Sequence, residues 1–151
     1  MCLIIDNNVV HRILLRQDDE DFRDVSARLF GKSRARAVVV YGGLLLEEYQ
    51  LNREVLRRLR ALDQAGRARI VPFDLVQQET EAVQQSGLCV SNDAHVIALA
   101  RVGKVRLLCS HDQALHQDFT NKRLLDEPRG KVYQNRKHNR LLTAFCSRAR
   151  D

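Results

Sequence analysis

Short apolar runs alternate with longer helical patterns along the chain. The apolar runs predict strands, and apolar residues at three- and four-residue spacing predict helices. Continuous apolar strands separated by helices are typical of a mostly parallel sheet covered by helices on both faces. The pattern therefore predicts a single three-layer α/β/α domain over residues 1–151, with four to five strands. The predicted strands are 3–5, 37–41, 69–73, 105–109 and 131–134, and the predicted helices are 9–16, 20–30, 44–64, 75–86, 93–102 and 138–147.

The long helix predicted over 44–64 carries one carboxylate on its apolar face. Glu48 falls at the same three- and four-residue spacing as the apolar side chains of that face, whereas Glu47 falls on a polar face. An inward carboxylate needs a cation or hydrogen-bond donors, because burying it alone is costly. An arginine partner and a metal ion are the two interpretations. The apolar residues of the face are Leu44, Leu51, Val55, Leu59 and Leu62.

Three further acids occupy positions where α/β proteins place functional groups. Asp6 follows the first strand, Asp112 follows the fourth, and Asp93 opens a helix with its side chain toward the core. Ligands of open α/β sheets collect beyond the carboxyl ends of the strands, although each acid could also serve as an ordinary helix cap. Converging carboxylates repel one another unless a divalent cation is present, and oxygen ligands select Mg²⁺ or Mn²⁺ rather than zinc. The predicted cluster is Asp6, Glu48, Asp93 and Asp112.

The positive charge is concentrated at the C-terminal end. The chain has 25 Lys and Arg, 19 Asp and Glu, and a net charge of +6. Residues 120–151 hold nine basic and three acidic residues, whereas residues 1–119 are neutral. This basic segment suits contact with a polyanion, or it is a solvated tail. The side chains expected to hold a substrate's phosphates are Lys131, Arg136, Lys137 and Arg140.

Four short segments occur in the order of a known motif set. They are Ile4-Ile5-Asp6-Asn7-Asn8-Val9, Leu45-Leu46-Glu47-Glu48-Tyr49, Asn92-Asp93-Ala94-His95-Val96-Ile97-Ala98-Leu99-Ala100 and Leu107-Leu108-Cys109-Ser110-His111-Asp112. This ordered set resembles the PIN-domain ribonucleases, a fold shared by many toxin nucleases of bacterial toxin–antitoxin systems. The resemblance covers roughly the first 115 residues. It implies a parallel sheet in the order 3-2-1-4-5 and a metal-dependent endonuclease that acts mainly on RNA.

The resemblance also implies roles for individual residues. Asp6, Glu48, Asp93 and Asp112 would be the catalytic acids that bind Mg²⁺ or Mn²⁺, and the metal would activate a water against an RNA phosphodiester. Asn8 and Ser110 would be supporting polar residues. The family often has a second acid two residues after the position of Asp112, and here Asp118 could replace it. The implied partners are RNA, an antitoxin-like protein and a second copy of the chain.

Two alternatives remain open from the sequence. His95, His111 and His116 flank the predicted site and would suit a metal-free ribonuclease that uses histidine as the general acid. The chain could also be a catalytically inactive PIN-like module that binds RNA or a protein partner. The longest apolar run, 37–46, is half the length of a membrane span, and no signal peptide is visible. We therefore expect a cytoplasmic protein without a membrane segment.

Overall fold

Five parallel strands form a single sheet at the centre of the molecule. The structure is a computed structural model that describes residues 1–32 and 36–142. The sheet has the strand order β3-β2-β1-β4-β5, and every neighbouring pair is parallel. The predicted mostly parallel sheet with the order 3-2-1-4-5 is therefore confirmed. The strands are β1 (Cys2–Ile5), β2 (Val38–Gly42), β3 (Ala68–Val71), β4 (Leu107–Cys109) and β5 (Lys131–Tyr133).

Helices occupy every connection between the strands. Because the chain moves from β1 toward β3 in one direction and from β4 to β5 in the other, right-handed crossovers place helices on both faces of the sheet. The reversal falls between β1 and β4, so these two strands form the switch point where α/β sheets collect ligands. The helices are α1 (Val10–Leu14), α2 (Arg23–Phe30), α3 (Gly43–Gln50), α4 (Arg53–Gln64), α5 (Phe73–Gln85), α6 (Ala94–Gly103) and α7 (Gln113–Phe119), and a 3₁₀ helix spans Arg136–Leu141.

The core is made of the central strands and of helix α6. All four residues of β1 are buried, as are all three of β4. In α6 every residue from Ala94 to Ala100 is buried. A helix that is apolar on all sides belongs inside a protein, and its small alanines allow close packing. No helix in the described ranges is long and apolar enough to cross a membrane.

The helix predicted over 44–64 is two helices. The chain leaves helical geometry between α3 and α4, where the side chain of Asn52 accepts hydrogen bonds from the backbone N–H groups of Glu54 (3.0 Å) and Val55 (3.3 Å). Asparagine is a favoured N-cap because its side chain satisfies N–H groups that the first helical turn leaves free. The cap therefore starts a new helix where the apolar spacing alone predicted an unbroken one.

The break also changes which face of α3 is buried. The predicted apolar face is correct in α4, where Val55, Leu59 and Leu62 are buried. In α3 the buried side chains are instead Leu45 and Tyr49. Leu51 is 88% exposed. Glu48 consequently lies at the edge of the buried surface, with its side chain 34% exposed.

Two other predictions of helices need correction. Helix α7 was not expected, and it begins where Asp112 accepts a hydrogen bond from the N–H of Leu115 at 3.1 Å. The helix predicted over 138–147 is replaced, as far as residue 142, by the end of the 3₁₀ helix. Residues 143–147 of that predicted helix lie outside the described residues. The extension of the domain to residue 151 stays a prediction.

Candidate functional site

The ends of β1 and β4 hold Asp6 in a defined position. The N–H of Asp6 donates to the carbonyl of Cys109 at 2.9 Å, which continues the pairing of the two strands by one residue. The hydroxyl of the fully buried Ser110 donates to Oδ2 of Asp6 at 2.7 Å. That hydroxyl also accepts from the N–H of Asp112 at 3.0 Å. The two strand ends are thus joined through a single serine side chain.

The four predicted acids lie within electrostatic range of one another. Asp6 is only 6% exposed. The pKa of Asp6 is raised to about 6, first by burial and then by the carboxylates of Asp93, Asp112 and Glu48, against the hydrogen bond from Ser110 that lowers it. The pKa of Asp93 is also raised, first by burial and then by Asp112 and Glu48, whereas His95 lowers it. The structure therefore brings residues from four separate segments to one place.

Two glycines and a tyrosine place Glu48 at this site. Helix α3 begins immediately after β2, through Gly42 (φ 153°) and Gly43 (φ 57°), which are backbone angles that other residues rarely adopt. A Cβ on Gly42 would lie 2.6 Å from the carbonyl oxygen of Val71, so only glycine lets the chain turn here. The hydroxyl of the buried Tyr49 then donates to the carbonyl of Ile5, next to Asp6 in the chain. Glu48 is thereby fixed over the end of β1.

Glu48, Asp93 and His95 form the most compact group of candidate ligands. Each offers one ligand atom, and these atoms all lie within 4.8 Å of one another. The Nε2 atom of His95 lies 3.3 Å from Oε1 of Glu48. This contact is within ion-pair distance but is not aligned as a hydrogen bond, and Nε2 is buried with no hydrogen-bond partner in residues 1–32 and 36–142. The predicted acids are therefore joined by a histidine that the sequence did not separate from the others.

The alternative that the acids are ordinary helix caps applies to only one of the two helix-start acids. Asp93 occupies the N-cap position of α6, yet its side chain makes no capping hydrogen bond. Asp112 caps α7 through Oδ1. The carboxylate of Asp93 is therefore not used by its own helix, whereas Asp112 combines a cap with a position beside the site.

Asp118, expected as a supporting acid, is engaged elsewhere. It is 1% exposed, and its carboxylate accepts hydrogen bonds from the N–H of Val90 (2.9 Å), the N–H of Ser91 (2.9 Å) and the hydroxyl of Ser91 (2.5 Å). These donors occupy both carboxylate oxygens, and the charge of Asp118 also raises the pKa of Asp93. It holds the loop that leads into α6 and thereby positions Asp93.

The other two predicted histidines, His111 and His116, are hydrogen-bonded to residues around the site. His116 is buried, and its Nε2 lies 2.6 Å from the carbonyl oxygen of Ser110 while Nδ1 lies 3.2 Å from the side-chain amide of Gln134. A carbonyl can only accept, so Nε2 carries the proton and Nδ1 accepts from the amide. Burial lowers the pKa of His116, which favours this neutral form. His111 is bridged between Arg12 (3.1 Å) and the carbonyl of Gln134 (2.9 Å).

The remaining predicted residues are Asn8 and the four basic side chains, and they lie at different ends of the strands. Asn8 is exposed in the turn after Asp6. Lys131 is the first residue of β5 and therefore lies at the amino ends of the strands, away from the acids. The 3₁₀ helix with Lys137 and Arg140 follows the carboxyl end of β5. The guanidinium of Arg136 pairs with Asp24, with Nε 2.9 Å from Oδ2. Lys137 and Arg140 are exposed, and Arg136 is partly neutralised.

No family model matches the chain, and no curated protein matches its sequence. One solved structure with a similar architecture is that of VapBC2 from Rickettsia felis bound to a DNA fragment from their promoter. The similarity has a TM-score of 0.45 at 14% sequence identity, and it covers 87% of this chain and 97% of that chain.

Proposed function

We propose that this chain is a metal-dependent endoribonuclease whose active site lies beyond the carboxyl ends of β1 and β4. The observation that supports this most strongly is the grouping of Glu48, Asp93 and Asp112 around the buried carboxyl group of Asp6. Such a group is unfavourable by itself, since each carboxylate opposes the ionisation of the others. A divalent cation reverses that effect, and carboxylate oxygens are the ligands that Mg²⁺ and Mn²⁺ take.

The donor set fits such an ion. Asp6 and Asp93 both have a carboxylate oxygen that no capping bond occupies, and the buried Nε2 of His95 has no hydrogen-bond partner in the described ranges. When bound, a divalent metal supplies a water of lowered pKa and positive charge beside the phosphodiester oxygens. The chain's contribution is to orient the ligands. Ser110 fixes Asp6, and α3 carries Glu48 to the open side of the site, where a substrate can enter.

Basic side chains beyond β5 would hold the substrate backbone. Lys137 and Arg140 lie in the 3₁₀ helix that follows the carboxyl end of β5, which is the edge of the sheet where the acids lie. Phosphate contacts of this kind give affinity that falls steeply with salt and carries no base specificity. RNA as the substrate, together with an antitoxin-like partner, a homodimer and a cytoplasmic location, is implied by the PIN-domain resemblance and stays a prediction.

The proposal is tested with the Asp6→Asn variant. We expect cleavage of single-stranded RNA in Mn²⁺ to fall by at least about 100-fold, because a neutral amide is a poor metal ligand. A matched control is Glu47→Gln, which changes the exposed neighbour of Glu48 and should retain full activity. Thermal melting would show that both variants are folded. A fully active Asp6→Asn variant would refute the assignment.

Two rival functions have distinct results in the same assay. Cleavage that persists in EDTA and leaves a 2′,3′-cyclic phosphate would favour a histidine-based, metal-free ribonuclease. RNA binding without cleavage and without metal binding would favour the inactive binding module. The metal-dependent reaction should instead leave a 5′-phosphate and a 3′-hydroxyl.

A further inference from the structure

We infer that His95 is a direct nitrogen ligand of the metal ion, beside Glu48 and Asp93, and that the site therefore prefers Mn²⁺ to Mg²⁺. The inference rests on the proposed function, because it concerns the metal of the same site. It goes further in giving the ion a mixed nitrogen and oxygen environment in place of carboxylates alone.

The surroundings of His95 suit a metal ligand. His95 lies in the first turn of α6, two residues after Asp93, and is 6% exposed. Its Nε2 is buried and has no hydrogen-bond partner among the residues that the structure describes. Buried polar atoms nearly always have a partner, since leaving one unsatisfied costs free energy. The partner that we expect for Nε2 is therefore a divalent cation, which can bind both the imidazole nitrogen and the carboxylates of Glu48 and Asp93.

The distances agree with ligand atoms that share a cation. Metal–nitrogen and metal–oxygen bonds of about 2.0–2.2 Å place adjacent ligand atoms about 3 Å apart. The separation between His95 Nε2 and Glu48 Oε1 is 3.3 Å, and the ligand atom of Asp93 lies within 4.8 Å of both. Because the side chain of Glu48 is 34% exposed, the group of Glu48, Asp93 and His95 is open to solvent on the side of Glu48.

A direct ion pair between His95 and Glu48 is the other explanation of the contact. A protonated imidazole would direct its N–H at the carboxylate, yet the geometry at Nε2 does not form a hydrogen bond. Nε2 lies with the ligand atoms of Glu48 and Asp93 in one compact group, and imidazole nitrogen is a common metal ligand. The ion pair predicts that bound Mn²⁺ has no coupling to an imidazole nitrogen.

The nitrogen ligand has a consequence for the choice of metal. Mg²⁺ binds hard oxygen ligands and keeps several of its waters, whereas imidazole suits transition metals. Affinities for a site that contains nitrogen rise from Mn²⁺ toward Co²⁺ and Ni²⁺. Mn²⁺ accepts both carboxylate and imidazole, so a site with Glu48, Asp93 and His95 should take it in preference to Mg²⁺.

The first measurement uses the full chain without substitution. Electron spin-echo spectroscopy of the Mn²⁺-loaded protein should show the coupling of one directly bound imidazole nitrogen, and labelling histidine with ¹⁵N should change that coupling. The His95→Gln variant should lose the signal, and His11→Gln, which changes an exposed histidine, should keep it. Bound Mn²⁺ without any nitrogen coupling would overturn the inference, and would favour the ion pair.

The second measurement is the affinity for each metal by calorimetric titration. In His95→Gln we expect the Kd for Mn²⁺ to rise at least about tenfold, while the Kd for Mg²⁺ changes less than about threefold. Equal Mn²⁺ affinity in wild type and His95→Gln would overturn the nitrogen ligand and leave the proposed function standing. Absence of any divalent-metal binding in the wild type would overturn both. The spectrum of the wild type decides the matter even if the variant is poorly folded.

Discussion

The two halves of the candidate site are organised in different ways. On the β1–β4 half, Asp6 is buried and is tied by hydrogen bonds to Ser110 and to the end of β4. On the α3–α6 half, Glu48 is partly exposed and His95 has a ring nitrogen without a hydrogen-bond partner in the described residues. The first half is held by its own hydrogen bonds, whereas Glu48 and His95 of the second half approach to 3.3 Å without a hydrogen bond between them. The difference indicates that the strands fix the position of the site and that the helices bring further ligand atoms to it.

Removing a ligand from the α3–α6 half should have the largest effect. In Glu48→Gln we expect Mn²⁺ affinity and RNA cleavage each to fall by at least about 100-fold, because a charged metal ligand is replaced by a neutral amide. The fold should be unaffected, since the side chain is partly exposed. Binding is measured by titration and cleavage by gel assay. Unchanged affinity in Glu48→Gln would show that the metal, if bound, sits on the strand half alone.

Neutralising the buried acid of the β1–β4 half should stabilise the metal-free protein. The pKa of Asp6 is raised from 3.8 to about 6, so the folded state holds this proton more tightly than the unfolded state. The contribution of Asp6 to stability therefore declines as the pH rises from about 4 to above 6, by at most about 3 kcal/mol. In EDTA at pH 7, Asp6→Asn should melt about 4–10 °C above the wild type.

The pH dependence provides the control for that stabilisation. The advantage of Asp6→Asn should shrink as the pH falls toward 4 and approach zero below about pH 3.8, where the wild-type carboxyl becomes protonated in the unfolded state as well. Comparing the two proteins at each pH cancels the other groups that titrate in the same range. An advantage that is the same at pH 4 and pH 7 would mean that repacking, and not the charge of Asp6, is responsible.

Loosening the β1–β4 half should have the smallest effect on activity. Ser110→Ala removes the hydrogen bond that lowers the pKa of Asp6, so the acidic limb of the cleavage profile should move to higher pH. We expect activity near pH 6 to fall about tenfold and to recover largely above pH 8. Ser86→Ala, in the exposed turn after α5, is the matched control. Equal loss at every pH would indicate a structural defect instead.

The sequence was sufficient to predict the sheet, and it offered a reason to expect the acids after β1 and β4 near each other. Strands buried on both faces, such as Leu3 to Ile5, must be continuously apolar, and this pattern is visible without a structure. Acids directly after such strands lie at the same edge of the sheet because the strands are parallel. Asp6 and Asp112 could therefore be placed near each other before any distance was known.

The sequence argument that placed Glu48 was wrong, because it depended on a helix face that the structure does not have. The spacing that grouped it with Leu44 and Leu51 required one continuous helix, and Leu51 is 88% exposed beyond the end of α3. Glu48 reaches the site because Gly42 and Gly43 turn the chain and Tyr49 anchors it. Apolar spacing continues across the capped junction at Asn52, so periodicity alone could not reveal the break.

The roles of His95 and Asp118 depend on contacts between distant segments. All three histidines near the site looked equivalent in sequence. Only burial and pairing separate His95, whose Nε2 has no hydrogen-bond partner in residues 1–32 and 36–142, from the hydrogen-bonded His116. Asp118 binds backbone groups 27 and 28 residues away. Neither relation leaves a local signal in the chain. A buried polar residue on an otherwise apolar helix face is the only general hint.

The hydrogen bonds of Asp118 connect α7 to the loop that leads into α6, and so link the segments that carry Asp112 and Asp93. Asp118 lies in α7, the helix that starts at Asp112, and it grips the loop from which α6 and Asp93 begin. A displacement of either helix end is therefore transmitted to the other through one carboxylate. Binding of an ion at Asp93 should therefore also change the position of Asp112, so that the two carboxylates move together when the ion binds.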